Sequence, residues 1–265
     1  GERLRMGNGT WQAGAGGGGD GTGEVSQRGG VDASDPTFAG VNANLVGIRL
    51  GDGGVVRGDT VTLRATANNT QVVGPVKSGQ LPGQAQNVTV DLLGVPVGLE
   101  AGLATSVTEA RIQLDQGSVI EAERLVADAS AQSSAASASI AVESGTAVAS
   151  VDTTANVIVA GTINASQDVT LRATVDNTLL AIADTSRVKK RLTGAVAMSL
   201  LDSDAIAHIQ DTALINIGGT LLVDASTVDR NFTLSRTKTD KNLTGVSVAV
   251  SDEDGDTQAL VDGTV

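Results

Sequence analysis

The chain has 265 residues, among them 33 glycines, one Trp, two Phe and neither Tyr nor Cys. Apolar residues make up 40% of it, a share too high for a disordered chain. Because aromatic rings normally fill the irregular space of a globular core, a core of Val, Ala, Leu and Ile favours stacked, similar layers of β-strands. The net charge of −12 argues against nucleic-acid binding, which needs a basic surface.

No apolar stretch approaches the ~18 residues that a membrane span needs, so a transmembrane segment is not expected. The sequence also lacks an initiator Met and a signal peptide, which is typical of a mature or excised piece of a protein.

Residues 1–35 differ in composition from the rest of the chain. They include Gly14–Gly23, which reads GAGGGGDGTG and is too simple in sequence to build a packed element. We interpret 1–35 as a glycine-rich flexible arm or linker. Residues 36–265 are interpreted as one repeat domain.

A short block with period-two alternation recurs four times in that domain. It has an aliphatic residue at its first and third positions and Ala at its fifth. The copies are Val61–Thr66 (VTLRAT), Leu125–Ser130 (LVADAS), Val169–Thr174 (VTLRAT) and Leu221–Ser226 (LLVDAS). The alternation predicts strands with one buried and one exposed face.

Two further blocks precede these copies in a constant order. The second block, A-x-V-x-x-x-A-x-I, is assigned to Thr105–Ile112, Ala149–Val157, Ala207–Ile215 and, in part, from Ala259 onwards. The third block, which opens each unit, is assigned to Gly94–Val97, Ser139–Val142, Gly194–Ala197 and Gly245–Val248. The fifth-position alanines of the first block are 64, 44 and 52 residues apart, so we expect the insertions to lie in turns.

Two basic segments, Arg187–Thr193 and Arg236–Asn242, are predicted to be such exposed turns. Ala101–Leu114 and Ile120–Ala131 contain enough Ala and Glu for helices, but their alignment with the strand-like copies favours strands.

The three ordered blocks resemble the degenerate repeats of giant filamentous-haemagglutinin-like bacterial adhesins and of large autotransporter-type exoproteins. The resemblance covers roughly residues 40–265. It implies an all-β fold, a parallel β-helix (β-solenoid), with irregular repeats, and secretion to the bacterial cell surface. It also implies a role in adhesion or in filaments, and no catalytic residues.

Carboxylates stand at alternate positions of a turn in Asp252, Asp254 and Asp256. Calcium prefers several oxygen ligands from a tight loop, so these residues are the predicted calcium site, with a solvated acidic turn as the alternative. The position where an EF-hand would place its bidentate Glu is Gly263. A fainter calcium pattern is Gly51–Gly54 with Asp59.

Other motifs give weaker predictions. Arg57–Asp59 is an integrin-type RGD tripeptide, but it leads directly into a predicted strand. His208 is the only histidine and is placed on an outer face, so neither a transition-metal site nor a catalytic triad is expected.

The functional hypothesis is therefore a structural or adhesive solenoid without a cofactor other than calcium. Its expected partners are further copies that join end to end, neighbouring repeats of a longer chain, and a cell-surface or matrix ligand. The alternative is a polysaccharide lyase or hydrolase on a parallel β-helix, since 30 acidic residues offer many carboxylate pairs.

Overall fold

The structure is a computed structural model, and it describes most of the chain in nine segments. These segments are residues 4–5, 9–13, 24–28, 39–73, 87–92, 95–140, 144–185, 192–237 and 244–265. Every regular element in them is a β-strand. They contain no helix that is long and apolar enough to cross a membrane.

Sixteen strands follow one another along the chain. They are β1 (Leu4–Arg5), β2 (Gly9–Ala13), β3 (Glu24–Arg28), β4 (Ala39–Leu50), β5 (Val55–Val73), β6 (Asn87–Leu92), β7 (Val95–Leu114), β8 (Val119–Ile140), β9 (Ser144–Val159), β10 (Thr162–Ala165), β11 (Val169–Asp184), β12 (Leu192–Ile209), β13 (Leu214–Ile217), β14 (Leu221–Arg236), β15 (Thr244–Asp254) and β16 (Thr257–Val261).

The strands form two sheets of eight. Sheet A contains β1, β2, β5, β8, β10, β11, β13 and β14, and sheet B contains the other eight. From β4 onwards the chain passes repeatedly from one sheet to the other, and each pass pairs in parallel with the pass before it. The antiparallel pairs among the described strands are β3 with β4 and β6 with β7. The fold is therefore all-β with mainly parallel sheets, as predicted.

The first block is in register across sheet A. Ala65 pairs with Ala129, Ala129 with Ala173, and Ala173 with Ala225. The predicted alignment of the four copies is confirmed. The expectation that the insertions lie only in turns is wrong for the longest spacing, from Ala65 to Ala129, because it contains the additional strand β6, which pairs with the first residues of β7.

The second block is confirmed only in part. Ala110 pairs with Ala155 and Ala207 with Ala259, as aligned. The assignment to Ala207–Ile215 is wrong, because Ala155 pairs with Ala205 and that stretch leaves β12 through a turn. The residues that match the end of the motif in this stretch lie at the beginning of β13, which is a strand of sheet A.

The alignment of the third block is wrong: Gly194 and Gly245 are one residue out of register, and Ser139 lies in the other sheet. Gly194 pairs with Val246, and its other neighbour is Ser144. A shift of one residue would turn every side chain of a strand to the opposite face, and loosely matched small residues do not reveal such a shift. Ser139 belongs to the end of β8.

The two helix alternatives are strands, as favoured above. Ala101–Leu114 lies in β7 and Ile120–Ala131 in β8. In β7 the described side chains alternate between buried and partly exposed, from Gly102 to Leu114. Parallel pairing on both sides satisfies the backbone donors and acceptors of these strands.

Inward-facing side chains of the two sheets form two apolar clusters. The larger is built mainly of Val, Ile and Leu with interspersed Ala, and it includes fully buried Ile112, Ile120 and Leu171. The smaller is dominated by alanines such as Ala149 and Ala181. The interior is therefore divided into one half with mainly larger aliphatic side chains and one half with mainly alanines.

The predicted boundary between an arm (1–35) and a repeat domain (36–265) stays a prediction. Within 1–35, β1 and β2 pair with β5, and β3 pairs with β4. Gly14–Gly23 and most of the two basic segments lie outside the described residues.

Leu171 tests the packing of the larger cluster. Replacing this fully buried side chain by Ala is expected to lower the free energy of unfolding by about 2–5 kcal/mol. Leu222→Ala is the matched control, because Leu222 is 44% exposed on a paired strand and surface changes cost about 0.5 kcal/mol or less. Urea unfolding followed by circular dichroism measures both, and equal losses would contradict the assigned faces.

Candidate functional site

Aspartates line up on the outer face of sheet B. Asp202 of β12 pairs with Asp152 of β9 on one side and with Asp254 of β15 on the other. Asp204 lies two residues further along β12, and its Oδ1 accepts a hydrogen bond of 2.9 Å from the amide of Asp256. We call these five residues the aspartate column. Neighbouring strands are about 4.8 Å apart, so like charges are close together.

Two carboxyl groups of the aspartate column, those of Asp152 and Asp202, have a raised pKa. Partial burial raises the pKa of Asp202, and the charges of Asp204, Asp152, Asp254 and Asp256 raise it further. The pKa of Asp152 is raised by burial and then by Asp204. No ion pair to Lys or Arg relieves this repulsion among the residues with described side chains.

Two of the three predicted calcium ligands, Asp254 and Asp256, belong to the aspartate column. Asp252 and Asp254 lie on β15, and Asp256 follows that strand. Asp254 Oδ1 accepts a hydrogen bond of 2.9 Å from the amide of Gly255. Across the described part of the chain, no group of three or more His, Cys, Asp or Glu side chains is arranged to hold a metal ion. The calcium site stays a prediction.

A second acidic feature is an open groove of about 950 Å³ along the turns that lead from sheet B to sheet A. We call it the turn groove. Its lining includes Asp52, Asp115, Asp211 and Asp262. The turn at 160–161 is shorter than its neighbours at 115–118 and 210–213, so a notch opens between the longer turns.

Gly161 allows the short turn to lie close to the preceding one. A Cβ atom at this position would be 2.2 Å from Ser118 Oγ and 2.8 Å from the carbonyl oxygen of Asp115. Any other residue would push the two turns apart.

Two aspartates of the turn groove contact basic side chains. His208 Nε2 is 2.9 Å from Asp262 Oδ2, and Arg49 Nη2 is 2.8 Å from Asp115 Oδ2. His208 alternates with buried Ala207 and Ile209, which confirms its predicted outer face. These contacts engage two of the four aspartates named above, Asp115 and Asp262.

The remaining sequence motifs lie within or beside β5. Arg57 forms an ion pair with Glu121 of β8, in which Nη2 donates to Oε1 at 2.8 Å. The RGD tripeptide is thus part of a paired strand, with its arginine already bound. Of the fainter calcium pattern, Asp52 lines the turn groove and Asp59 is an exposed residue of β5.

The outer face of sheet A carries alternating charges in place of like charges. Arg64, Asp128, Arg172 and Asp224 occupy one line across β5, β8, β11 and β14. Arg64 Nε is 3.5 Å from Asp128, and Arg172 Nε is 3.2 Å from Asp224. Exposed pairs of this kind contribute little each, but they favour the observed register over a shifted one.

A line of polar side chains between the two apolar clusters was not predicted from the sequence. Asn69, Ser133, Asn177 and Asp229 occupy one inward-facing line across sheet A. Each stands eight residues after the first residue of its first-block copy. Extending the alignment beyond the six-residue block would have revealed this line.

Hydrogen bonds join this line to sheet B, and we call the whole arrangement the polar seam. Asn69 Nδ2 donates to the carbonyl oxygen of Val107 at 3.1 Å. The hydroxyls of Ser106 and Ser133 are 2.6 Å apart. Asp229 accepts from Asn177 Nδ2 and from Ser203 Oγ, both at 2.9 Å. A buried polar group costs free energy unless it is paired, so the seam penalises a shift in register.

Comparison with known proteins gives no relative: no family model, no curated protein and no solved structure matches the chain.

The aspartate column predicts that Asp202→Asn stabilises the fold. A carboxyl whose pKa is raised in the folded state binds its proton more tightly there, so stability falls as the pH rises through that pKa and stays lowered at neutral pH. We expect Asn to raise the urea midpoint at pH 7, with a gain in the free energy of unfolding of less than about 1 kcal/mol for an exposed site. The gain should vanish near pH 3, where the carboxyl is protonated in both states.

Asp224→Asn is the matched control for this experiment. It removes the partner of Arg172, so it should leave stability unchanged or lower it. A loss of stability in Asp202→Asn at pH 7 would contradict the repulsion.

The predicted calcium site has its own test. If Asp252, Asp254 and Asp256 bind the ion, calcium at millimolar concentration, the usual range for extracellular modules, should raise the melting temperature, and a chelator should reverse the rise. Asp252→Asn should weaken the effect, whereas Asp224→Asn should preserve it. An unchanged melting temperature would reject the site.

Proposed function

We propose that this chain is a stretch of β-solenoid from a secreted bacterial surface or filament-forming protein, with a structural or adhesive role. In this proposal each turn of the solenoid consists of one pass through sheet A and one through sheet B. The flat outer faces present the contact surface, and the ordered core gives rigidity.

The observation that carries the proposal is the parallel, in-register pairing of successive passes. β11 pairs over its full length with β8 on one side and with β14 on the other. β12 lies in the same way between β9 and β15. A chain that repeats one cross-section at a constant strand spacing can be extended without a new core. This suits a protein that must form a long structure with a large contact surface.

The bacterial cell surface as the location, and adhesion as the role, rest on the resemblance of the three blocks to repeats of filamentous-haemagglutinin-like adhesins. The acidic charge and the absence of Cys suit such repeats. A cell-surface or matrix ligand is part of the proposal, and so is end-to-end joining of copies.

End-to-end joining would use the edges of the sheets. Among the described strands, β14 pairs only with β11, and β15 pairs only with β12. Such edges can add a further strand. Inward-facing Ala225 stands at this edge above Ala173, so a layer added here would pack directly on it.

Ala225→Lys tests the proposal. An inward-pointing charge at an edge blocks the addition of strands, so the variant should remain monomeric. The unchanged chain should form filaments in negative-stain electron micrographs, with a fibre diffraction spacing of about 4.8 Å along the filament. Ser226→Lys, which points outward on the same strand, is the control and should assemble like the parent.

Parent chains that stay monomeric at all concentrations would overturn end-to-end joining. Depolymerisation of an acidic polysaccharide by the purified chain would favour the alternative, an enzyme on a β-helix.

A further inference from the structure

The outer face of sheet B carries an apolar patch next to the aspartate column. Leu103, Val148, Met198 and Val250 occupy one line across β7, β9, β12 and β15. On β12, Val196 and Leu200 flank this line and are 37% and 36% exposed. Because β12 has a paired strand on each side, these two side chains are exposed through the face of the sheet and not through an edge.

The two halves of this face differ in chemistry. On β12 the patch occupies positions 196–200 and the aspartate column begins at Asp202, whereas on the edge strand β15 Asp252 is already the partner of Leu200. Apolar patches of this kind on a soluble protein commonly mark contact surfaces. The five neighbouring carboxylates disfavour an anionic lipid surface, and the regular face of paired strands suits a second sheet of the same kind.

We propose that this patch pairs with the same patch on a second copy of the chain, face to face. The two-fold axis passes through Met198 and runs across the strands. In this arrangement Met198 faces its own counterpart, Val196 faces Leu200 of the second copy, and Asp202 faces Gly194. The pairing is lateral, so it differs from end-to-end joining and does not depend on it.

Electrostatics selects this axis. A two-fold axis parallel to the strands would place each aspartate column against its counterpart, where like charges repel. The axis across the strands turns the columns to opposite sides of the patch. Each column then lies over the beginning of β12 in the other copy, away from the other column.

The overlap is large enough for a specific contact. With the axis at Met198, residues 192–204 of β12 overlap their counterparts. Thirteen residues at about 3.3 Å and four strands at about 4.8 Å give roughly 800 Å² per copy. This is the usual size of a stable interface, with an apolar centre and a polar rim.

Site-directed cross-linking tests the arrangement, because the chain has no native Cys. Met198→Cys should be joined to its counterpart by a short bis-maleimide, giving a covalent dimer. Asp202→Cys should cross-link poorly, since eight residues, or about 26 Å, separate the two copies of this position along the strands. Thr178→Cys, on the exposed face of sheet A, is the negative control.

Met198→Asp should abolish the dimer in analytical ultracentrifugation while preserving the circular dichroism spectrum. Val228→Asp, which changes a 43% exposed residue of sheet A, should leave the dimer intact. Cross-linking at Asp202→Cys as strong as at Met198→Cys would overturn the proposed axis.

A monomer that is unaffected by Met198→Asp would overturn the pairing. Flotation of the monomer with zwitterionic phosphatidylcholine vesicles, lost in Met198→Asp, would assign the patch to lipid and overturn the pairing as well. Ala225→Lys separates the two modes of association, since it should abolish filaments and leave the lateral dimer.

Discussion

Parallel pairing in register is the constraint on which the rest of this molecule depends. Each position of one pass lies about 4.8 Å from the same position of the next, as the line from Ala65 to Ala225 shows. Whatever side chain a position holds must therefore pack against near copies of itself. Alanine, valine and isoleucine meet this requirement, and they make up most of the two apolar clusters.

The same constraint acts differently on each surface. On the outer face of sheet A it produces ion pairs, because Arg and Asp alternate from pass to pass, as in Arg172 and Asp224. On the outer face of sheet B it produces repulsion, because Asp152, Asp202 and Asp254 repeat. In the interior it produces the polar seam, where a shift by one residue would bury unpaired donors and acceptors. The seam and the ion pairs favour the register, and the aspartate column is retained at a cost in stability.

Much of the fold could be predicted from the sequence, because period-two alternation and the repeated VTLRAT report directly on the pairing in sheet A. The register of sheet B could be predicted only in part. Its strands share small residues and no long identical stretch, so the third block was placed one residue from its true partner at Gly194. The features of the outer faces were harder to predict than the register. The aspartate column and the patch around Met198 are formed by residues about 50 positions apart, which become neighbours only when the register is known.

The most direct test of the account is a pair of engineered disulfides that measures the register itself. Thr174 and Ser226 are paired on neighbouring strands, and the spacing of such strands lies within the Cα distances that a disulfide spans. The doubly substituted chain Thr174→Cys and Ser226→Cys should form an intramolecular bridge on mild oxidation and unfold at a higher temperature. The chain with Thr174→Cys and Thr227→Cys, which points the second thiol to the other face, should not. A bridge in the second chain and none in the first would contradict the pairing on which the whole account rests.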